Sequence, residues 1–242
     1  MDTIFSAKAW ATVWQYRATF LNGLLNTLES AAVGLVIAMV IGFAIGLMAT
    51  SGKRALQAVA RVYVEFFQNT PLILQVCFLY YALAYSGVRI TVVVIGFVSL
   101  GLYHGAYVGE VVRAGIQSIP PGQFDAARSQ GFGYAETMRA IILPQTVRRV
   151  IPTVTSDFIT SFKDTSLLSS VGVMELMMFS KNLTTVSGNI TPYVAAGIFY
   201  LIVTLPLIKV VSIVENRIAR SERGEGPRPK AKAQLKEAAD VQ

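Results

Sequence analysis

The chain has 242 residues, of which 53% are hydrophobic and only 14% charged, with 21 Lys and Arg against 14 Asp and Glu. Its mean hydropathy is +0.53, and because soluble domains carry roughly 25% charged residues, an ordinary soluble domain is excluded. The net charge of +7 would suit nucleic acid if it sat on a soluble domain, but none here is large enough, and basic membrane chains owe such charge to cytoplasmic loops; no nucleic-acid partner is expected.

Four stretches of 20 or more residues carry no charge: 30–52, 66–88, 90–109 and 182–208. Crossing a bilayer takes about 20 apolar residues, since the hydrocarbon is roughly 30 Å thick and offers no partner to an unpaired amide. In chain order, residues 1–20 hold Trp10, Trp14, Tyr16 and Phe20 with Lys8 and Arg17. Such a mixture suits the headgroup layer, so an extracytoplasmic segment lying along the interface is predicted there. The first apolar run, 28–50, is too long for a signal core and reads as a retained span. Further spans are predicted at about 62–85, 91–112 and 191–214, with a weaker candidate at 150–173 that contains Asp157, Lys163 and Asp164. One cysteine, Cys77, excludes an intrachain disulfide and a Cys-based zinc site, and one histidine, His104, excludes a His-rich metal site.

Charge decides the weak span. With five spans, the loops 50–61 and 113–149 share a side with the C-terminal tail, and that side collects sixteen of the 21 basic residues, leaving Lys8, Arg17, Arg89, Lys163 and Lys181 on the other. This is the asymmetry of the positive-inside rule, with the N-terminus outside and the C-terminus cytoplasmic. With four spans the basic clusters would fall on opposite faces. The expected fold class is therefore all-α: a polytopic membrane protein with five transmembrane helices over 21–215. The tail, 216–242, has too few apolar residues to bury and is expected to be disordered.

The loop between the third and fourth spans is long for so small a membrane chain. Pro120-Pro121-Gly122 sets a turn and a helix start, and Asp125, placed in the first turn, suits the positive end of the helix. The helix is predicted to run to about Ser129, to be broken by Gly131 and Gly133, and to be followed by a second from about Ala135 to Leu143 that Pro144 interrupts. Phe124, Phe132, Met138, Ile141 and Leu143 give the pair one apolar side, fit either for a groove on a partner or for the membrane surface.

The spacing Asp125-Ala126-Ala127, Gly131, Ile141, Leu143-Pro144 resembles the EAA loop of ABC importer permeases, whose pattern is E-A-A-x3-G-x9-I-x-L-P. All seven fixed positions within 20 residues match in spacing and six in residue, the one departure being Asp for Glu. The runs Tyr63-Val64-Glu65-Phe66-Phe67-Gln68-Asn69-Thr70-Pro71-Leu72-Ile73-Leu74-Gln75, Arg113-Ala114-Gly115-Ile116-Gln117-Ser118-Ile119-Pro120 and Phe162-Lys163-Asp164-Thr165-Ser166-Leu167 are similar to the polar amino-acid branch of that family, the histidine, glutamine and glutamate type of permease. The resemblance covers roughly residues 20–215. It implies the type I importer permease fold with a cytoplasmic coupling loop at 118–144, in which Asp125, Ala126, Ala127, Gly131, Ile141, Leu143 and Pro144 meet the ATPase. It further implies a second permease subunit of the same or similar sequence, a cytoplasmic ABC ATPase homodimer, an extracytoplasmic amino-acid-binding protein, and location in the bacterial inner membrane.

No G-x-x-x-x-G-K-[ST] phosphate loop is present, so no cofactor is expected on this chain, and ATP with Mg is expected on the partner ATPase. Gly131 is expected to allow a tight turn where a side chain would clash. For the substrate path, Asn69-Thr70-Pro71 interrupts the second span, either as a simple proline kink or as a polar break that marks a site; Gln75 follows one turn later. Asp164, with Thr165 and Ser166, suits a substrate ammonium, and Lys163 a substrate carboxylate, unless the two form a solvent-facing pair. Asp157 is costly in hydrocarbon and is expected to face the bundle interior. His104 reads as a packed, hydrogen-bonded residue in preference to a ligand contact, and Glu110 and Arg113 as a helix-surface pair. The competing functions are an ion-coupled carrier or channel without an ATPase, whose cue would be several deep acids, and a membrane enzyme, which would need a catalytic cluster that one His and one Cys in separate spans do not supply.

Overall fold

The computed structural model describes residues 6–222, and among them it is all helical, with no strand. The elements are α1 (Ala7–Gln15), α2 (Arg17–Ala49), α3 (Arg54–Asn69), α4 (Leu72–Tyr85), α5 (Val92–Gln117), α6 (Pro121–Ser129), α7 (Tyr134–Thr137), a π-helical turn (Met138–Ile142), α8 (Leu143–Asp164), a 3-10 segment (Thr165–Val171), α9 (Leu176–Ser187) and α10 (Thr191–Glu222).

The spine is α2 against α5. Lipid tails are as apolar as side chains, so close van der Waals packing must hold spans together, and small residues permit it. Gly42 and Gly46 of α2 face Val108 and Val112 of α5, where an added Cβ on Gly42 would lie 2.5 Å from Val108 Cβ. Gly101, Gly105 and Gly109 of α5 return the arrangement against Ile37, Ile41 and Ile45 of α2. Any larger residue there would push the helices apart.

Helix α2 begins at Arg17, well before the predicted start at 28, and it takes in part of the expected interfacial segment. Phe20 is fully buried, edge-on to Phe179 at 5.1 Å and stacked on Phe199 at 5.7 Å, in a cluster with Leu176, Leu183, Ala195 and Ala196 against which Trp10 also packs. Aromatic residues suit headgroups, but rings meeting rings at 4.5–7 Å also suit a core, and here the core wins.

The second predicted span is not one helix. It parts at Thr70-Pro71 into α3 and α4, which diverge by 104°. Pro71 has no N–H to continue α3 and forces the residue before it out of the helical region, and Thr70 is extended at φ −114°, ψ 140°. This is a break, larger than a proline kink.

Pro144 does the opposite of what its sequence position suggests. The chain stays helical through it, because the π turn immediately before it widens the helix where the ring would strike the carbonyl four residues back. The predicted stop at Leu143 is therefore overturned, and one helical run extends from Tyr134 to Asp164. The fourth-span helix consequently starts earlier than 150 and ends at Asp164, where the chain tightens into the 3-10 segment. Helix α10 extends to Glu222, beyond the expected end near 214, so 216–222 are helical; the remainder of the tail, 223–242, lies outside the described residues.

By length and apolarity three described helices can cross a membrane alone (α2, α5 and α10), and the bent pair α3 and α4 has the length and apolarity of a fourth if it is one broken span and not a re-entrant loop. Helix α8 has 22 residues, about 33 Å at 1.5 Å each, but it carries Arg148, Arg149, Asp157, Lys163 and Asp164.

Candidate functional site

At the loop end, Pro121 opens α6 at its first helical positions, where its missing N–H costs nothing. Asp125 is not in the first turn, which holds no acid; it is the fifth helical residue, exposed, and does not cap its own helix through its side chain. Gly131 has φ +85°, and an added Cβ would meet nothing within 4 Å. The requirement for glycine there is the left-handed backbone, not the clash expected from sequence.

The motif residues fall into two sets. Ala127 is buried, and Ile141 and Leu143 pack with Phe124 on a cluster of Val108, Val112, Ile116, Ile119, Met138 and Ile142, which fixes the loop to α5. Asp125, Ala126, Gly131 and Pro144 are exposed. Arg149 donates from Nη1 to Ser118 O and Oγ at 2.8 Å, joining the base of α8 to the end of α5. Glu110 and Arg113 pair at 2.7 Å across one turn of α5.

His104 occupies the centre of α5 with 1% of its side chain exposed. Asp157 and Asp164 are seven residues apart on α8, two turns, and therefore share a face. The imidazole lies between them: Nδ1 is 3.0 Å from Asp157 Oδ1, and Nε2 is 3.4 Å from Asp164 Oδ2. The second contact is at ion-pair distance without hydrogen-bond alignment, and Nε2 has no hydrogen-bond partner; neither has Asp157 Oδ2. The carboxylates are 17% and 28% exposed, so the cluster opens to the surface on the acidic side. Tyr103 stands edge-on to the imidazole at 5.3 Å, and its hydroxyl meets that of Tyr107 at 3.1 Å. Ionisable groups at membrane depth are expensive and mark substrate or ion paths.

The remaining sequence candidates divide. Asn69 donates to Glu65 O at 2.7 Å, Thr70 donates to Phe66 O at 2.8 Å, and Gln75 donates to Thr70 Oγ1 at 2.6 Å. These side chains restore partners at the break between α3 and α4. Beside it is a cavity of about 460 Å³ lined by Phe66, Phe67, Phe78, Thr70, Gln75 and Ser99 among others, with no charged residue in its lining. Thr165 is buried and donates to Phe162 O, and Ser166 lies beside it in the 3-10 segment. Lys163 is exposed and, six residues from Asp157, points away from the Asp157 and Asp164 face. His104 was the residue that sequence reasoning set aside. The seven-residue spacing of Asp157 and Asp164 was a legible signal for a shared face, but nothing local pairs that face with α5.

The chain belongs to the family of binding-protein-dependent transport system inner membrane components, whose model matches residues 34–221. It is a multi-pass permease subunit of an amino-acid ABC importer. It is 35% identical over 204 residues to the probable glutamine ABC transporter permease protein GlnM of Bacillus subtilis, covering 84% of this chain and 94% of the relative. It is 33% identical over 214 residues to the glutamine transport system permease protein GlnP of Escherichia coli, covering 86% and 97%. Among solved structures, that of an amino acid ABC transporter with histidines aligns at a TM-score of 0.79 with 32% identity, covering 86% of this chain and 97% of that one. The MetNI methionine ABC transporter, at 0.72 and 17% identity, shares the fold.

Proposed function

We propose that the chain imports a polar amino acid of the glutamine type, with five crossings, its N-terminus outside and its C-terminus in the cytoplasm. A second copy or a similar chain completes the pore, and an extracytoplasmic binding protein delivers the substrate. A pair of ABC ATPases seats the exposed side of α6, with Asp125, Ala126 and Gly131, and holds the ATP and Mg, so this chain performs no hydrolysis of its own. The observation that supports the substrate assignment is the pair of carboxylates on one face of α8, Asp157 17% and Asp164 28% exposed, which suits an α-ammonium group. The names of the relatives, glutamine permeases of Bacillus subtilis and Escherichia coli, support the amino-acid class and do not favour an ion-coupled carrier or channel.

The test is uptake of radiolabelled glutamine into proteoliposomes holding the permease, its ATPase and its binding protein. Asp164→Asn should lower ATP-dependent uptake by about tenfold or more, the equivalent of losing 1.4 kcal/mol of charge interaction in a partly buried site. Uptake at the parent rate in that variant would remove the site from this reading.

A further inference from the structure

Two carboxylates on one face of a helix, alone, would make a site of charge −2, best matched by a substrate with two cations. His104 changes that sum. Each of its ring nitrogens faces a carboxylate oxygen, at 3.0 and 3.4 Å, and the ring is 1% exposed. A neutral imidazole has a single N–H, so one nitrogen would turn a lone pair towards a carboxylate; only the imidazolium carries a proton for each. Among the described residues the ion pairs of both Asp157 and Asp164 are made with His104, and the nearest neighbours, Tyr103 and Tyr107, bring hydroxyls and no charge. Lys163 is exposed on another side of α8. The cluster thus holds one built-in cation between two anions.

We infer that His104 is a specificity-determining residue: its ring occupies the place that the second positive charge of a basic amino acid would take. The site then accepts one ammonium at the open edge of Asp164, which is 28% exposed, and rejects lysine and arginine by like-charge repulsion. Attraction to the correct substrate and repulsion of the wrong one come from the same three side chains. The inference rests on the reading of Asp157 and Asp164 as the ammonium site, and it goes beyond that reading by fixing the charge class of the side chain.

The binding protein has its own selectivity, so the measurement is made without it, on the purified complex of permease and ATPase, by equilibrium binding of radiolabelled glutamine and arginine. The parent complex should prefer glutamine, and His104→Gln should move the ratio towards arginine by about tenfold or more, since one unit charge a few ångströms away is removed. His104→Lys, which keeps a cation, should retain the preference for glutamine. A parent complex that binds arginine at least as tightly as glutamine overturns the inference, and this comparison stands even if His104→Gln fails to assemble. An unchanged ratio in an assembled His104→Gln complex overturns it as well. Asp157→Asn and Asp164→Asn that leave both affinities untouched would instead show that the amino acid binds elsewhere, and the role of His104 would fall with the site.

Discussion

Glu175 shows how much a single side chain holds at the end of the molecule away from the loop. It is fully buried, accepts from Met177 N at 2.7 Å and Met178 N at 2.5 Å, and receives the Tyr200 hydroxyl at 3.3 Å. Beside it Leu176 N donates to Thr27 Oγ1, and Asn26 donates to Met174 O, so α9 is sewn to α2 and α10 within three residues. Glu175→Ala leaves two helix amides without partners and removes one partner of the Tyr200 hydroxyl, and should cost about 2 kcal/mol, read as a lower melting temperature of the detergent-solubilised protein, with Glu175→Gln in between. An unaltered melting point for Glu175→Ala would contradict the capping role. This residue was not legible in advance, whereas His104 reads in sequence as packed and hydrogen-bonded, and what stayed hidden was the identity of its partners. Glutamate is not a preferred cap, and His104 acquires its meaning from aspartates 53 and 60 positions away. Asp157 and Asp164 were legible because charge in hydrocarbon is conspicuous in any sequence.

Among the elements, α6 matches its predicted bounds because proline at a helix start and glycine past its end act locally. The run from Tyr134 to Asp164 could not be read the same way: proline normally stops a helix, and whether a π turn absorbs it depends on the packing of Met138 and Ile142 against α5. The break at Thr70-Pro71 was visible as an interruption, but its angle was not, since 104° is fixed by what α4 packs on, namely Leu100, Leu168, Val171 and Val173. The division of the EAA-like loop into a buried and an exposed set yields a prediction at this scale. Gly131→Arg imposes a side chain on a left-handed residue and fills the exposed side of the loop. It should abolish substrate-stimulated ATP hydrolysis in the reconstituted complex while the permease inserts and folds as before, because the anchoring set of Ala127, Ile141 and Leu143 is untouched. Normal stimulation would exclude this loop as the ATPase contact.

For the whole molecule, the charge asymmetry that selected five crossings makes a topological prediction. In a Cys77→Ser background, Ser86→Cys, between α4 and α5, should react with a membrane-impermeant maleimide on intact spheroplasts. Ser129→Cys, at the end of α6, should react only after the membrane is opened, and the reverse pattern would invert the orientation. The three apolar crossings were plain from composition because a long uncharged run has few other uses. Helix α8 is not plain from composition, since Arg148, Arg149, Asp157, Lys163 and Asp164 lie along it, of which Asp157, Asp164 and Arg149 meet α5 or its end. That helix has a mechanical meaning as well. Ile141, in the loop motif, and Asp157, in the charged cluster, lie sixteen residues apart on one uninterrupted run, about 24 Å of helix with no loop between them. The run is a stiff rod: its near end packs with Phe124 of α6, its far end carries the acids, and a tilt of the one would carry the other with it.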